Sequence, residues 1–160
     1  MTNANWVVIE VDPATPEAAE LIAALDDDLR ERYPGAVIHG IEPVGFCRSG
    51  GVFLIGQVAG VNVACGALRP MGDGFVEVKR MFVRNDQRRR GFGKLMLVAI
   101  EEAAVRLGYK TIRLETGVNQ PEAIGLYERA GYRLIPCFGE YVSDPNSRCF
   151  EKLLATPERP

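Results

Sequence analysis

One segment constrains the fold of this chain more than any other: a long amphipathic helix pattern that follows a strand-like segment and a basic turn. After Gly91, apolar residues recur at three- and four-residue spacing, which places them in one stripe along a helix. They are Phe92, Leu95, Met96, Ala99, Ile100, Ala103 and Leu107. Such a stripe needs an apolar surface to pack on, and Gly108 fits the position that ends a helix. The sequence therefore predicts a strand–turn–helix unit packed on a sheet.

The turn before this helix has the chemistry of an anion-binding site. First-turn N–H groups of a helix have no partner within the helix, and their partial positive charge favours anions. Gly91 and Gly93 would let a ligand approach the main chain closely. The charged side chains around them are Arg88, Arg89, Arg90 and Lys94. The turn therefore predicts a pyrophosphate-binding site; the alternative is a solvated basic turn that only starts the helix.

The spacing of the turn excludes two common phosphate motifs. A dinucleotide fingerprint would need a third glycine where Met96 stands, and a P-loop would need Ser or Thr where Leu95 stands. The formal charge of −2 argues against a general nucleic-acid or membrane-surface binder, so the basic cluster is local. We therefore expect no nucleic acid and no membrane among the partners.

The rest of the chain predicts a mixed α/β domain. We expect strands at 6–11, 53–58, 61–68, 75–83, 111–115, 132–135 and 148–154. A helical region of one or two helices runs from Thr15 or Pro16 to Tyr33, and a loop covers 34–50. Asn119 or Gln120 caps a short helix that ends at Gly131. The predicted order is β-α-α-β-β-β-α-β-α-β-β in one domain, 1–160, with a frayed tail at 155–160.

Two motifs in this order resemble those of the GNAT superfamily of N-acetyltransferases. Arg88-x-x-Gly91-x-Gly93 resembles its acetyl-CoA signature, although Asn85 stands where many members have proline. Further on, Asn119-x-x-x-Ala123-x-x-x-Tyr127-Glu-Arg-Ala-Gly131-Tyr132 is similar to the segment that follows the fifth strand in that family. The resemblance covers the chain from residue 53 to 154. It implies the GNAT acyl-CoA N-acyltransferase fold, a central, mostly antiparallel mixed sheet flanked by helices.

The resemblance also implies a cofactor site. Acetyl-CoA would lie where the fourth and fifth strands splay apart, with its pantetheine arm along the main chain of the fourth strand and its pyrophosphate on the turn. The residues so implicated are Met81, Phe82, Val83, Arg88, Arg89, Arg90, Gly91, Phe92, Gly93, Lys94, Asn119 and Tyr127. Consecutive arginines cannot all face one ligand. Asn119 is read either as a ligand of the CoA arm or as an ordinary helix cap.

Tyr127 and Glu77 are the candidate catalytic residues. The family places its general acid at Tyr127, whose hydroxyl is protonated near neutrality and could protonate the leaving thiolate; packing alone would also explain the ring. Glu77 stands where the histone-acetylating branch carries its general base, and strand alternation would put it on one face with Lys79 and Met81. The alternatives are an exposed glutamate paired with Lys79 or Arg113, or a ligand of the substrate ammonium.

Other polar residues have weaker interpretations. His39, the sole histidine, is expected to be incidental, and the acidic run 26–28 is expected to be a solvated face unless it attracts a cationic amine. The segment 137–141 lines the acceptor site or forms a tight connection. Cys47, Cys65, Cys137 and Cys149 show no metal or dithiol spacing, so we expect free, mostly buried thiols and no metal.

The sequence therefore predicts an N-acetyltransferase that transfers an acetyl group from acetyl-CoA directly to a primary amine of a small molecule or protein. A non-catalytic CoA-binding regulatory or interaction module is the alternative. The start of the chain lacks the pattern of a secretory signal, so a cytoplasmic protein is expected, with homodimer formation left open.

Overall fold

A computed structural model describes residues 5–155 of the chain. The strands are β1 (Trp6–Val11), β2 (Val52–Val58), β3 (Val61–Pro70), β4 (Phe75–Val83), β5 (Thr111–Gly117), β6 (Arg133–Ile135) and β7 (Ser147–Leu153). The helices are α1 (Pro16–Arg32), α2 (Phe92–Arg106) and α3 (Pro121–Arg129). The predicted tail 155–160 lies outside the described residues, apart from Ala155.

The predicted fold class is confirmed, with one correction to the order of elements. The seven strands form one mixed sheet in the order β1-β2-β3-β4-β5-β7-β6, flanked by helices. The first helical region is one helix, not two. Pro16 occupies its first turn and no glycine or proline follows until Pro34, so nothing in the sequence breaks it.

The helices cover opposite faces of the sheet because the strands alternate. On β2, Val52 and Leu54 pack with α2, whereas Phe53 and Ile55 pack with Leu21 of α1. The first set belongs to a core that α2 and α3 cover, and the second to a core under α1. Residues of β4 thus belong to both apolar cores, whereas the apolar residues of β5 belong to the core under α2 and α3.

An opening forms in the sheet between β4 and β5, which pair in parallel only from Phe75 with Thr111 to Val78 with Leu114. Beyond these residues the two strands separate. No other pair of neighbouring strands among residues 5–155 is parallel. The C-terminal half of β4 is thereby left with main-chain groups that β5 does not use.

A β-bulge lies in β4 just after the last paired residues. Between the pairs Cys65–Phe82 and Ala67–Lys79, β4 contributes one residue more than β3, and Arg80 has a positive φ of 56°. The extra residue reverses the alternation of side chains. The prediction that Met81 shares a face with Glu77 and Lys79 is therefore wrong: Met81 packs in the core under α2.

The expectation of free thiols is wrong for one pair of cysteines. Cys137 and Cys149 form a disulfide, with their Cα atoms 5.1 Å apart. Pairing of β6 with β7 sets Ile135 opposite Cys149 and so brings Cys137 close, a proximity that spacing in the sequence does not reveal. Cys47 is free and exposed, and Cys65 is free and buried, with its pKa raised to about 12 by burial.

None of the helices within residues 5–155 combines the length and apolar character needed to cross a bilayer.

Candidate active site

A cleft of about 780 Å³ occupies the opening between β4 and β5. Its walls are the bulged end of β4, the start of α2, the end of β5, α3, and one side of α1. The predicted site residues that line it are Met81, Phe82, Val83, Arg88, Arg89, Gly91, Phe92, Gly93, Lys94 and Tyr127. Glu77, Arg90 and Asn119 do not line it.

The start of α2 presents uncapped amides. Gly91, the residue before the helix, has a φ of 82°, and no side chain caps the helix. The first intrahelical bond runs from the Leu95 N–H to the Gly91 carbonyl at 3.2 Å. A Cβ atom added at Gly91 would meet nothing within 4 Å, so the space above this turn is open. An anion can therefore reach the first-turn N–H groups.

The three arginines of the turn point in different directions. Arg88 folds inward: its Nε donates to the Val83 carbonyl at 3.1 Å and its guanidinium lies over the Phe82 ring. Arg89 has a positive φ of 66° and is exposed. The exposed Arg90 donates to the Gln87 side chain at 3.3 Å. Only Arg88 is thus fixed against the cleft wall by protein contacts.

Asn119 forms hydrogen bonds that connect the end of α1 to the segment before α3. Its backbone N–H donates to the Tyr33 hydroxyl at 2.9 Å, and its side-chain amide donates to the Arg32 carbonyl at 3.2 Å. Gln120, not Asn119, is the residue that precedes α3. The side-chain amide of Asn119 therefore bonds the end of α1, and Asn119 does not line the cleft.

Tyr127 places a polar group in the apolar part of the cleft. The ring is 4% exposed and packs edge-to-face on Tyr132. No side chain among residues 5–155 forms a hydrogen bond with its hydroxyl, which borders the cleft, and burial raises its pKa, with the charge of Glu115 acting in the same direction. The hydroxyl is therefore a protonated donor that protein groups leave unused.

Glu77 is buried and held by hydrogen bonds from two side chains. It is fully shielded from solvent, its carboxylate accepts from Arg69 at 2.6 Å, and it also accepts a hydrogen bond from the Tyr141 hydroxyl. The predicted alternative, an exposed glutamate paired with Lys79 or Arg113, is wrong. Because Tyr141 lines the cleft and Glu77 does not, Glu77 reaches the cleft only through that hydroxyl.

Lys79 and His39 line the cleft beside Tyr141. The Lys79 ammonium donates to the Tyr141 hydroxyl at 2.6 Å and to Glu140 at 3.2 Å, and burial lowers its pKa. Burial raises the pKa of the Glu140 carboxylate, but the neighbouring Lys79 and Arg69 cations outweigh this effect and lower the pKa to about 2. His39 stacks edge-on against Tyr141 and lies 2.8 Å from Asp144. The segment 137–141 thus lines the cleft through Tyr141, while Phe138 packs against Phe75 and Tyr141.

Glu115 lies just beyond the last residue of β5 that pairs with β4, and it lines the cleft. One carboxylate oxygen accepts a hydrogen bond from the Ser147 hydroxyl, and no lysine or arginine forms an ion pair with it within the described residues. Burial raises its pKa, while the Ser147 bond, His39 and Lys79 act in the opposite direction. A carboxylate with raised pKa in a cleft is a candidate proton acceptor.

Sequence reasoning missed His39, Arg80 and Glu115 as cleft residues. Tyr141 lay in a segment already considered for the acceptor site, and Glu115 could have been found from its place four residues before Asn119 at the end of a predicted strand. His39 and Arg80 carried no local signal, because a loop contact and a bulge bring them in.

Comparisons with known proteins agree with this geometry. The model of the acetyltransferase (GNAT) family matches residues 16–132. An IAA acetyltransferase of Azospirillum brasilense is 34% identical over 151 residues, which cover 94% of this chain and 99% of that protein. The crystal structure of a putative acyl-CoA N-acyltransferase from Klebsiella pneumoniae has a TM-score of 0.80 and 32% identity, covering 95% of this chain and 99% of that one.

A more distant structure shares the fold alone. A GNAT family acetyltransferase from Elizabethkingia anophelis, solved with acetyl-CoA bound, has a TM-score of 0.68 at 17% identity, covering 94% of this chain and 99% of that one. The family match spans most of the chain, including β4, the basic turn and α3. This chain therefore belongs to the GNAT family of acetyltransferases.

Proposed function

We propose that the protein is an N-acetyltransferase that transfers an acetyl group from acetyl-CoA to a primary amine by direct transfer in a ternary complex. The observation that carries the proposal is one continuous cleft that joins the uncapped start of α2 to the Tyr127 hydroxyl and the Glu115 carboxylate. A cofactor and an acceptor could enter such a cleft from its two ends.

The cofactor would bind along the β4 wall. The pyrophosphate would accept hydrogen bonds from the N–H groups of Phe92, Gly93 and Lys94, with Arg88 supplying charge from inside the cleft and Arg89 from outside. The pantetheine arm would bond the main chain of Met81 and Val83, which β5 leaves free on this side. Support for this placement comes from the GNAT structures solved with acetyl-CoA or CoA, whose fold this chain shares.

The chemistry needs a proton acceptor and a proton donor. An amine with an ordinary pKa of about 10 arrives as an ammonium. Glu115 would take a proton from it, and the raised pKa makes this carboxylate a better base than an exposed one. The amine nitrogen then attacks the thioester carbon, the C–S bond breaks, and Tyr127 protonates the departing thiolate. The second proton that the attacking nitrogen loses on becoming an amide restores the Tyr127 hydroxyl, and Glu115 releases its proton to solvent. Glu77, predicted as the base, would instead be a positioning residue that holds Tyr141.

A thiol-release assay with acetyl-CoA and a panel of primary amines tests the proposal. Release of CoA that depends on an amine, with the acetylated amine identified by mass spectrometry, is the expected result. If CoA binds but no amine releases thiol, the non-catalytic CoA-binding module becomes the better description. If CoA does not bind, both descriptions fail.

A further inference from the structure

Arg80 is a buried arginine of the cleft whose side-chain donors are only partly used. Its side chain is 3% exposed, yet its Nε is the one buried side-chain nitrogen or oxygen among the described residues without a hydrogen-bond partner. One terminal nitrogen pairs with Asp26 and contacts the Ile22 carbonyl at 3.4 Å. A guanidinium has five N–H donors, and leaving them unpaired in a buried site destabilises the fold. A residue held in this way needs an explanation.

Arg80 reaches the cleft through a strained backbone conformation. Arg80 sits at the bulge of β4 with a φ of 56°, a region that non-glycine residues rarely occupy. The bulge sets the side chain on the cleft side, next to Lys79, instead of leaving it in the strand alternation. Strain and unpaired donors at one residue are typical of a functional position.

Lys79 lines the same cleft and also has an unused donor. Its ammonium has three N–H donors, of which Tyr141 and Glu140 take two. Two consecutive, buried cations therefore face the cleft with donors that protein groups do not use. The chemical group that complements a planar guanidinium and an ammonium together is a carboxylate.

The cleft also holds an unpaired anion. Glu115 accepts a hydrogen bond from Ser147 and forms no ion pair within the described residues, whereas the carboxylates of Asp26 and Asp28 are engaged by Arg80 and by Arg32. The acidic run 26–28 was considered as a site that attracts cationic amines. Its carboxylates instead form ion pairs with arginines of the protein. A free carboxylate for the reacting ammonium and free donors for a second, negative group coexist in one cleft.

We propose that the acceptor is an amine that also carries a carboxylate, such as a free amino acid, and that Arg80 determines this specificity. The inference rests on the proposed function and narrows its substrate class. The acceptor ammonium would face Glu115, and its carboxylate would accept hydrogen bonds from Arg80 and Lys79. Polyamines carry only positive charges. They would leave the donors of Arg80 and Lys79 unpaired and would be repelled by these two cations.

Matched pairs of acceptors test the inference with the wild-type protein. Each free L-amino acid is compared with its primary amide, with spermidine and a lysine-containing peptide added to the panel, and kcat/KM is measured by thiol release. We expect the best amino acid to exceed its amide by about 10-fold or more, the usual scale of a charge-assisted hydrogen bond. The neighbouring carboxylate keeps the amine of the amino acid more protonated, so amine reactivity alone would favour the amide.

Two variants then assign the effect to Arg80. Arg80→Gln should raise KM for the amino acid by about 10-fold or more and leave the amide nearly unchanged, and Arg80→Lys should restore part of the preference. Arg84→Gln is the matched control, because Arg84 directly follows this strand but donates to the Asn62 carbonyl and does not line the cleft. If Arg80→Gln does not fold, Arg80→Gln combined with Asp26→Asn removes the unpaired carboxylate and repeats the test.

The outcomes separate this inference from the function on which it rests. Amides, polyamines or peptides acetylated as well as amino acids would overturn the carboxylate inference and leave the acetyltransferase proposal intact. Retention of the amino-acid preference in Arg80→Gln would overturn the role of Arg80. No thiol release with any amine, while CoA still binds, would overturn the proposed function, and the inference would fall with it.

Discussion

The carboxylate of Asp28 on α1 lies 3.5 Å from the guanidinium of Arg88, across the mouth of the cleft. Asp28 also pairs with Arg32 at 3.2 Å, and Arg32 in turn pairs with Glu122 on α3. A row of ion pairs thus joins α1, the basic turn and α3 around the proposed phosphate site. The inward-facing arginine of that site is already engaged by a carboxylate.

Removing this carboxylate should strengthen cofactor binding. In Asp28→Asn the negative charge near the phosphates is lost, and Arg88 is released from its protein partner. We expect CoA to bind about 2- to 5-fold more tightly, the range typical of a single partly exposed ion pair, with the difference shrinking at high salt. Calorimetric titration of CoA at two salt concentrations measures this. Weaker binding in Asp28→Asn would mean that Asp28 orients Arg88 instead of competing for it.

Tyr127→Phe should separate catalysis from folding. Loss of the hydroxyl removes the proposed acid, so kcat should fall by about 100-fold or more. The free energy of unfolding should stay within about 0.5 kcal/mol of wild type, because the hydroxyl has no partner among the described residues. Steady-state thiol release and urea unfolding provide the two readouts.

Tyr132→Phe is the matched control for that variant. Tyr132 packs against Tyr127, but its hydroxyl donates to Glu101 at 2.9 Å outside the cleft. Its loss should lower stability by about 1 kcal/mol and leave kcat unchanged. Equal activity losses in the two variants would point to packing and against an acid role for Tyr127.

The pH dependence of turnover should report Glu115. Because burial holds its pKa above the ordinary value of 4.5, activity should fall as pH is lowered through a pKa higher than that of an exposed glutamate. Glu115→Gln should lower kcat/KM by about 100-fold and remove this acidic limb. An unchanged pH profile in the variant would exclude Glu115 as the proton acceptor.

The same group has a signature in stability. A carboxyl whose folded-state pKa is raised favours the folded state fully below its unfolded pKa, and that contribution is lost as pH rises through the folded pKa. Glu115→Gln, which cannot ionise, should therefore gain stability relative to wild type at pH 8 and lose that advantage near pH 4. Thermal unfolding of both proteins across this range measures the difference. A variant with the same advantage at both pH values would indicate a packing effect.

The disulfide between Cys137 and Cys149 should stabilise the fold and the acceptor side of the cleft. It closes a loop of sequence separation 12 that contains Glu140 and Tyr141. Cys137→Ser should cost about 3 kcal/mol, and a thiol reductant should lower the stability of wild type but not of the variant. Cys47→Ser, at an exposed free thiol, is the control and should change nothing. Insensitivity of the wild-type protein to reductant would show that the thiols are free in solution.

The sequence was sufficient for most of the elements and for the residues that line the cleft near the start of α2. The α2 stripe, the glycine-bearing turn and the separation of β4 and β5 were predicted because each depends on local periodicity or on the family pattern. All but three of the proposed binding and catalytic positions line the cleft. Local patterns read over a few residues can identify such features.

The acceptor end of the cleft was harder to predict from the sequence because it depends on a bulge and on long-range contacts. Simple alternation placed Met81 with Glu77, whereas the extra residue at Arg80 moves Met81 to the opposite face. His39 meets Asp144 across 105 residues of sequence. Neither the bulge nor the long-range contact produces a periodic pattern in the sequence. The residues proposed to bind the acceptor can therefore be identified only from the structure.

The measurement that tests the central claim most directly is the affinity of CoA for Gly91→Glu and Gly108→Glu. Both glycines flank α2 with positive φ, 82° and 90°, and neither has an atom within 4 Å of an added Cβ, so backbone strain is matched. Gly91 lies at the proposed phosphate site and Gly108 at the opposite end of the helix. We expect calorimetry to show wild-type affinity in Gly108→Glu and at least about 100-fold weaker binding in Gly91→Glu. Equal affinities in the two variants would contradict a cofactor site at the start of α2.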